Sequence, residues 1–315
     1  PCRFWISALL LILLIAAGLR LYRLPHLPAG LHYDEAANGI LANEIAQGEK
    51  IPIFISSYTG KEPLFFYSAA LWMRLLGATP LALRLSAALV GLATVAATAW
   101  AVRELIPTPD ARWTALLTAA FLATSFWHLV LSRYGFRAVT QPLLQALTIG
   151  ALWRGLRLSS PPSARARIQG ALWLLLAGIL CGLTAYTYLA ARAFPIPLAA
   201  ALLTLILADR DRRARLAQAA LFVTAAAATL APLAHYWLTH PGSFLTRTQQ
   251  VAAESWTAAW AGMRACLGMF FIRGDPYIRF NLPHRPLFDP ITAALSLLGL
   301  AALVLSLKSR QTDPP

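Results

Sequence analysis

His32-Tyr33-Asp34-Glu35-Ala36-Ala37-Asn38-Gly39 opens a polar stretch that continues through Gln47-Gly48-Glu49-Lys50 to Tyr58-Thr59-Gly60-Lys61-Glu62-Pro63. It holds Asp34, Glu35, Glu44, Glu49 and Glu62, five of only 13 acids in a 315-residue chain otherwise made of long apolar runs. With 58% hydrophobic and 13% charged residues, the chain reads as an all-α, polytopic helical membrane protein rather than a soluble globular one. The stretch is therefore where chemistry can occur, and the apolar runs are its scaffold.

Upstream, residues 4–21 are apolar except for Ser7 and Arg20 and are long enough to span a bilayer. The run ends Gly18-Leu19-Arg20-Leu21-Tyr22-Arg23 instead of in small residues, so it reads as a retained anchor rather than a cleaved signal peptide. Within the polar stretch, Ala37, Ile40, Leu41 and Ile45 recur at helical spacing, which predicts a short amphipathic helix over residues 34–47 lying on the membrane, with Gly48 as its stop. Residues 22–79 then form the first extracytoplasmic loop, carrying this helix and a second apolar segment at residues 63–76. That segment is too short, at about 14 residues, to make a convincing span.

Further spans are expected at residues 81–102, 113–131, 139–156, 168–188, 194–208, 216–238 and 288–307. If residues 63–76 cross the membrane, every later loop inverts. If they stay at the outer surface, Arg103 and Arg112, Arg154 to Arg167, Arg210 to Arg215, and Lys308 with Arg310 all fall inside, as short cytoplasmic loops require. We adopt the second arrangement. The net charge of +14 is explained by these clusters, so the expected partners are membrane lipids and not nucleic acid.

No linker or repeat divides the chain, and residues 1–315 read as one domain. Its start at Pro1 and its abrupt end lead us to expect a piece of a longer chain, cut at both ends. Cys2, Cys181 and Cys266 lack paired spacing, and His32, His128, His235, His240 and His284 lack metal-ligand spacing, so neither a disulfide framework nor a dedicated zinc site is indicated, no cofactor is expected and a divalent metal is not favoured.

Two readings of the outer residues stay open. Asp34 is either the N-cap of the surface helix or, with Glu35, a carboxylate pair serving as general base or metal ligand near the headgroups. Lys61, Arg133, Arg137, Arg192, Arg273, Arg279 and Arg285 are either headgroup contacts or a phosphate cradle, because guanidinium groups grip phosphate oxygens in two-pronged fashion. Within the second reading, Lys61 and Arg133 lead, followed by Arg137, Arg192 and Arg279.

The order of Asp34-Glu35, Gly60-Lys61-Glu62-Pro63-Leu64, Leu83-Arg84-Leu85-Ser86 and Ser132-Arg133-Tyr134 resembles the C-type (GT-C) membrane glycosyltransferases. The branch holding protein O-mannosyltransferases and lipid A aminoarabinose transferases is the most similar. The resemblance covers roughly residues 4–208, with a weaker echo from Gly274-Asp275-Pro276 to Asp289-Pro290. It implies an enzyme of the cell envelope, in a prokaryotic plasma membrane, that takes a hexosyl or pentosyl group from a polyprenyl-phosphate donor outside the membrane. The group goes, with inversion, to a hydroxyl of a lipid, glycan or protein acceptor, and Asp34 matches the family's base. Two departures stand out: Glu62-Pro63 replaces a Pro-Pro pair, and Val139-Thr140-Gln141 stands where the family has an Asp after Ser-Arg. A transporter or lipid flippase, or a non-catalytic assembly subunit, is the competing expectation; it fits less well because no acid sits at mid-span and no inverted halves are visible.

Overall fold

The computed structural model describes residues 2–58, 60–108, 110–159 and 163–312. Among them the regular elements are helices, with a single isolated bridge between Ile55 and Lys61. The chain divides into two compact units, Pro1–Val251 and Ala252–Pro315.

The first unit contains α1 (Cys2–Leu21), α2 (Tyr33–Ala46), α3 (Leu64–Leu76), α4 (Pro80–Leu105), α5 (Ala111–Thr124), α6 (Phe126–Arg133), α7 (Thr140–Leu158), α8 (Ala164–Thr184), α9 (Pro195–Ala208), α10 (Arg212–Thr239) and the short α11 (Thr246–Val251). Among the described residues, five stretches are long and apolar enough to cross a membrane: Phe4–Leu21, Pro80–Leu105, Ala164–Thr184, Leu189–Ala208 and Arg212–Thr239. The protein is thus an integral, multi-pass membrane protein.

Three of the expected spans differ in the structure. Residues 113–131 do not form one helix: α5 and α6 meet at a 60° bend, with Ser125 at the break. The break frees carbonyls in the last turn of α5, and that of Ala123 accepts from the fully buried Arg20 at 3.2 Å. Arg20 also donates to Ala16 in its own helix and meets His128 Nδ1 of α6 at 2.7 Å. Residues 139–156 do form a helix, α7, but it is not one of the five, because Thr140, Gln141, Gln145, Thr148, Arg154 and Arg157 dilute its apolar character. Residues 288–307 fall in the second unit, where the apolar part of the helix runs over Pro290–Leu305. The segment at residues 63–76 is α3, a shorter apolar helix as its length implied.

Helix α4 organises the first unit. It starts from an N-cap at Thr79, whose hydroxyl accepts from Ala82 N–H, with Pro80 preset for the first turn. It then packs against α1, α3, α5, α6 and α7, while α8 lies between α7 and α10. Where α1, α4 and α5 meet, the core is Ala16, Val95, Ala99, Ala115, Ala119 and Ala123, small side chains that let the helices approach closely. A second core forms where α2 and α3 cover the N-terminal half of α4, with Leu41, Ile45, Phe65, Phe66, Met73 and Leu83.

The buried face of α2 differs from its apolar periodicity. Glu35, Asn38, Leu41, Ala42 and Ile45 are buried, whereas Ile40 is 55% exposed. Two polar residues thus displace an apolar one because partners on other segments satisfy them.

Candidate active site

The N-terminus of α2 sets the geometry. His32, in extended conformation, is the N-cap, and its Nδ1 accepts from Asp34 N–H at 3.2 Å. The cap position is therefore taken, and Asp34 sits in the first turn, half-buried, among the free N–H groups that favour a negative charge.

One residue on, Glu35 is 2% exposed and fully engaged. Arg84 of α4 grips it with two prongs, Nε to Oε1 at 2.8 Å and Nη2 to Oε2 at 3.0 Å. The Gly135 N–H donates to the same Oε1 at 2.9 Å. Arg84 also donates to the carbonyls of Pro28 and Gly30, so one guanidinium ties α4, α2 and the loop leaving α1 together. Asn38 completes the frame. Its Nδ2 donates to the Gly135 carbonyl and its Oδ1 accepts from Lys61 Nζ, both at 2.9 Å. Gly135 must be glycine here, since a Cβ would lie 2.4 Å from Leu83 Cγ.

Lys61, 8% exposed, is aimed by the Ile55–Lys61 bridge. Glu62 follows it, 2% exposed, and the Leu64 N–H donates to the Tyr186 carbonyl at 3.0 Å to hold the turn against the end of α8. Two guanidinium groups converge on Glu62: Arg137 at 3.1 Å and Arg192 at 3.5 Å. Arg137 also lies over the Tyr188 ring, and Arg192 over Trp237 and Phe244. Burial pulls the Arg137 guanidinium below its ordinary range, while Glu62, Tyr188 and Asp34 push it back up and Arg247 works against them. Asp34 is thus one of the charges felt at Arg137. Arg192 Nε is buried without a hydrogen-bond partner, while Arg137 Nη1 and Glu62 Oε2, also buried, face each other across the 3.1 Å ion pair.

Of the residues singled out from sequence, the structure brings Asp34, Glu35, Lys61, Arg137 and Arg192 into one region around α2 and the turn at Glu62. Arg133 is engaged elsewhere: it donates to the carbonyls of Leu19, Arg20, Tyr22 and Leu27, closing the C-terminal end of α1. Arg279 belongs to the second unit, where it lies over Phe280. Sequence reasoning passed over Arg84, Asn38 and Glu62 as site residues. A cation inside an apolar helix was the available signal for Arg84, since such charges are kept only when paired. For Glu62 it was the substitution of the first Pro of a Pro-Pro pair.

The helical architecture of this chain matches that of the GT-C membrane glycosyltransferases, and the chain has that fold. Among solved structures it is similar to the archaeal oligosaccharyltransferase AglB from Archaeoglobus fulgidus, in complex with an inhibitory peptide and a dolichol-phosphate. The identity is 18% at a TM-score of 0.60, over 96% of this chain and 37% of that one. It is also similar to ArnT from Cupriavidus metallidurans bound to undecaprenyl phosphate, at 17% identity and a TM-score of 0.53, over 97% of this chain and 63% of that one. The chain thus spans well under half of the first protein and less than two thirds of the second. No protein-family model matches the sequence, and no curated protein is significantly similar to it.

Proposed function

We propose that this protein is a membrane glycosyltransferase that moves a sugar from a polyprenyl-phosphate donor to an acceptor hydroxyl at the extracytoplasmic face. The carrying observation is the placement of a half-buried carboxylate, Asp34, at a helix N-terminus within electrostatic reach of Arg137, which meets Arg192 at Glu62, the residue after Lys61. In this reading the acceptor oxygen attacks C1 of the sugar while Asp34 takes its proton. The C1–O bond to phosphate breaks with its electron pair on the phosphate oxygen, and the anomeric centre inverts. A phosphate leaving group, with a second pKa near about 6, needs no acid to protonate it, so one base and one cradle suffice. Glu35 has the positioning role: held by Arg84 and Gly135, it fixes the first turn of α2 and hence Asp34.

The cradle is tested by kinetics. Arg192→Gln and Lys61→Gln are expected to raise the donor Michaelis constant roughly tenfold or more, since a hydrogen bond to a charged group is worth about 1.5–3 kcal/mol. The acceptor constant should stay within about twofold. A donor constant that does not move in either variant would return both residues to a structural role.

Among the described residues no three His, Cys, Asp or Glu side chains come together as metal ligands. Glu35 and Glu62 are both held by guanidinium groups, and in this reading no step is routed through a metal ion. Turnover of the purified protein should be unchanged by a chelator; loss of activity restored by a divalent cation would contradict this.

Orientation follows from the basic loops. In a chain with its native cysteines replaced, a cysteine at Ser163, the N-cap of α8, should label from the cytoplasmic side, and one at the exposed Tyr33 from the opposite side. Labelling of both from one side would place α3 across the membrane.

A further inference from the structure

The second unit, Ala252–Pro315, contains α12 (Trp256–Gly268) and α13 (Pro290–Thr312), joined by a loop that the glycosyl-transfer reading does not use. Helix α12 begins at an N-cap, Ser255, whose hydroxyl accepts from Ala258 N–H. Along it Trp256, Trp260, Met263 and Leu267 recur at three- and four-residue spacing, and they are 92%, 58%, 45% and 66% exposed. Four large apolar side chains in one exposed stripe, two of them Trp, are the composition of a helix lying in a membrane interface.

The loop is fastened at the end from which α13 starts. Leu287 N–H donates to the Met269 carbonyl and Phe288 N–H to that of Phe270, and the rings of Phe270 and Phe271 each pack on Phe288 at 5.5 Å. Asp289 then caps α13, whose apolar part runs over Pro290–Leu305. The C-terminal end of α12 is thereby tied to the point where an apolar helix begins, which is where a bilayer surface would lie.

Beside the stripe, a cavity of about 590 Å³ opens between α12 and the loop, with Arg264, Arg273 and His284 among its lining and Ala261, Ile272 and Pro276 as apolar walls. Arg264 follows Met263 directly, so the cavity flanks the apolar stripe. Arg273 Nε donates to His284 Nδ1 at 3.2 Å, which leaves the His284 Nε2 as an N–H donor. His284 is held in this position at φ +63° by its N–H on the Asp275 carbonyl and by its own carbonyl, which accepts from Gly274 N–H. Gly274 is required: a Cβ there would lie 2.0 Å from the Arg285 carbonyl oxygen. Among the described residues no carboxylate lines the cavity, and Asp275 turns its own onto Tyr277 N–H. Two guanidinium groups and an imidazole donor, in a lining that holds no acid and next to an exposed apolar stripe, match an anion that carries an apolar tail.

We propose that this cavity holds the phosphate of a membrane phospholipid, with α12 seated in the lipid surface and the acyl chains along Trp256, Trp260, Met263 and Leu267. It is a lipid-anchoring site, separate from donor binding at Lys61, Arg137 and Arg192.

The test is native mass spectrometry of the full chain in nonionic detergent titrated with phosphatidylglycerol. In the Arg264→Gln/Arg273→Gln variant, the tightest retained lipid should weaken roughly tenfold or more, as loss of two basic groups beside an anionic surface implies. Arg264→Lys/Arg273→Lys should keep most of the affinity. Trp256→Ala/Trp260→Ala should weaken the long-chain lipid but leave a six-carbon-chain phosphatidylglycerol unaffected. A folded Gln pair with unchanged lipid occupancy overturns the proposal. So does inorganic phosphate binding as tightly as the lipid with the Trp pair unchanged, because that marks a soluble-anion site. If the Gln pair lowers the melting temperature, the wild-type protein decides: tight-lipid retention must fall as sodium chloride rises, and retention indifferent to salt overturns the assignment.

Discussion

Replacing Asp34 by Asn is expected to cut turnover by roughly a hundred to ten thousand-fold, the usual worth of a general base. The substitution keeps the size and shape of the side chain and removes only its basicity. His32 is the N-cap of α2, so the fold does not depend on Asp34 as a cap and the variant should melt close to the wild type. What it loses is a first-turn anion, worth about 0.3–1 kcal/mol. Donor binding should persist, because Lys61 and Arg192 reach their partners Asn38 and Glu62 without it. Single-turnover kinetics with a bound donor separates the two effects: a slow chemical step at normal donor affinity is the expected result. An Asp34→Asn variant that turned over normally would remove Asp34 from the chemistry.

The largest expected loss of stability lies one residue further on. Arg84→Met should destabilise the first unit by about 3–5 kcal/mol, the cost of stranding one member of a buried ion pair. Arg84 and Glu35 are 1% and 2% exposed at the side chain, so water cannot rescue the survivor. The stranded Glu35 would retain only the Gly135 N–H, while the Pro28 and Gly30 carbonyls would lose their donor. The paired variant Glu35→Leu/Arg84→Met should regain part of the loss, because apolar replacements of both partners leave no buried charge. Thermal unfolding in detergent reads both. The same series separates positioning from chemistry: Glu35→Gln should lower stability and turnover together. If it abolished turnover at an unchanged melting temperature, Glu35 and not Asp34 would be the base.

These two neighbours show where sequence reading reaches and where it stops. Asp34-Glu35 reads as one carboxylate pair, yet a single step of about 100° around a helix with 3.6 residues per turn sends the two side chains in different directions, and only Glu35 enters the bundle. Periodicity alone assigns Ile40 to the buried side of α2 and Asn38 to the exposed side. The structure reverses them because Lys61 and the Gly135 carbonyl wait on the inner side for Asn38. Arg133 shows the same limit: a cation at an outer boundary looks available to a phosphate until the end of α1 supplies four carbonyls for it. The span at residues 113–131 reads as continuous because hydropathy does not register a bend. That break at Ser125 is sustained by Arg20, a residue more than a hundred positions away that reaches a freed carbonyl.

The chain's own composition determined that it is a helical membrane protein, because apolar runs long enough to cross a bilayer have only one common use. It also determined that the polar stretch after the first run is the centre of interest, since acids and turn residues concentrate there. The tertiary structure decided which members of that stretch face one another. Arg84, Arg137 and Arg192 lie on three different segments far apart in sequence, and only the packing of α4 against α3 and α7, and of α7 against α8, brings them to Glu35 and Glu62. Buried charges must be paired wherever they fall, and the identity of the partner is a property of the packed bundle rather than of any local pattern.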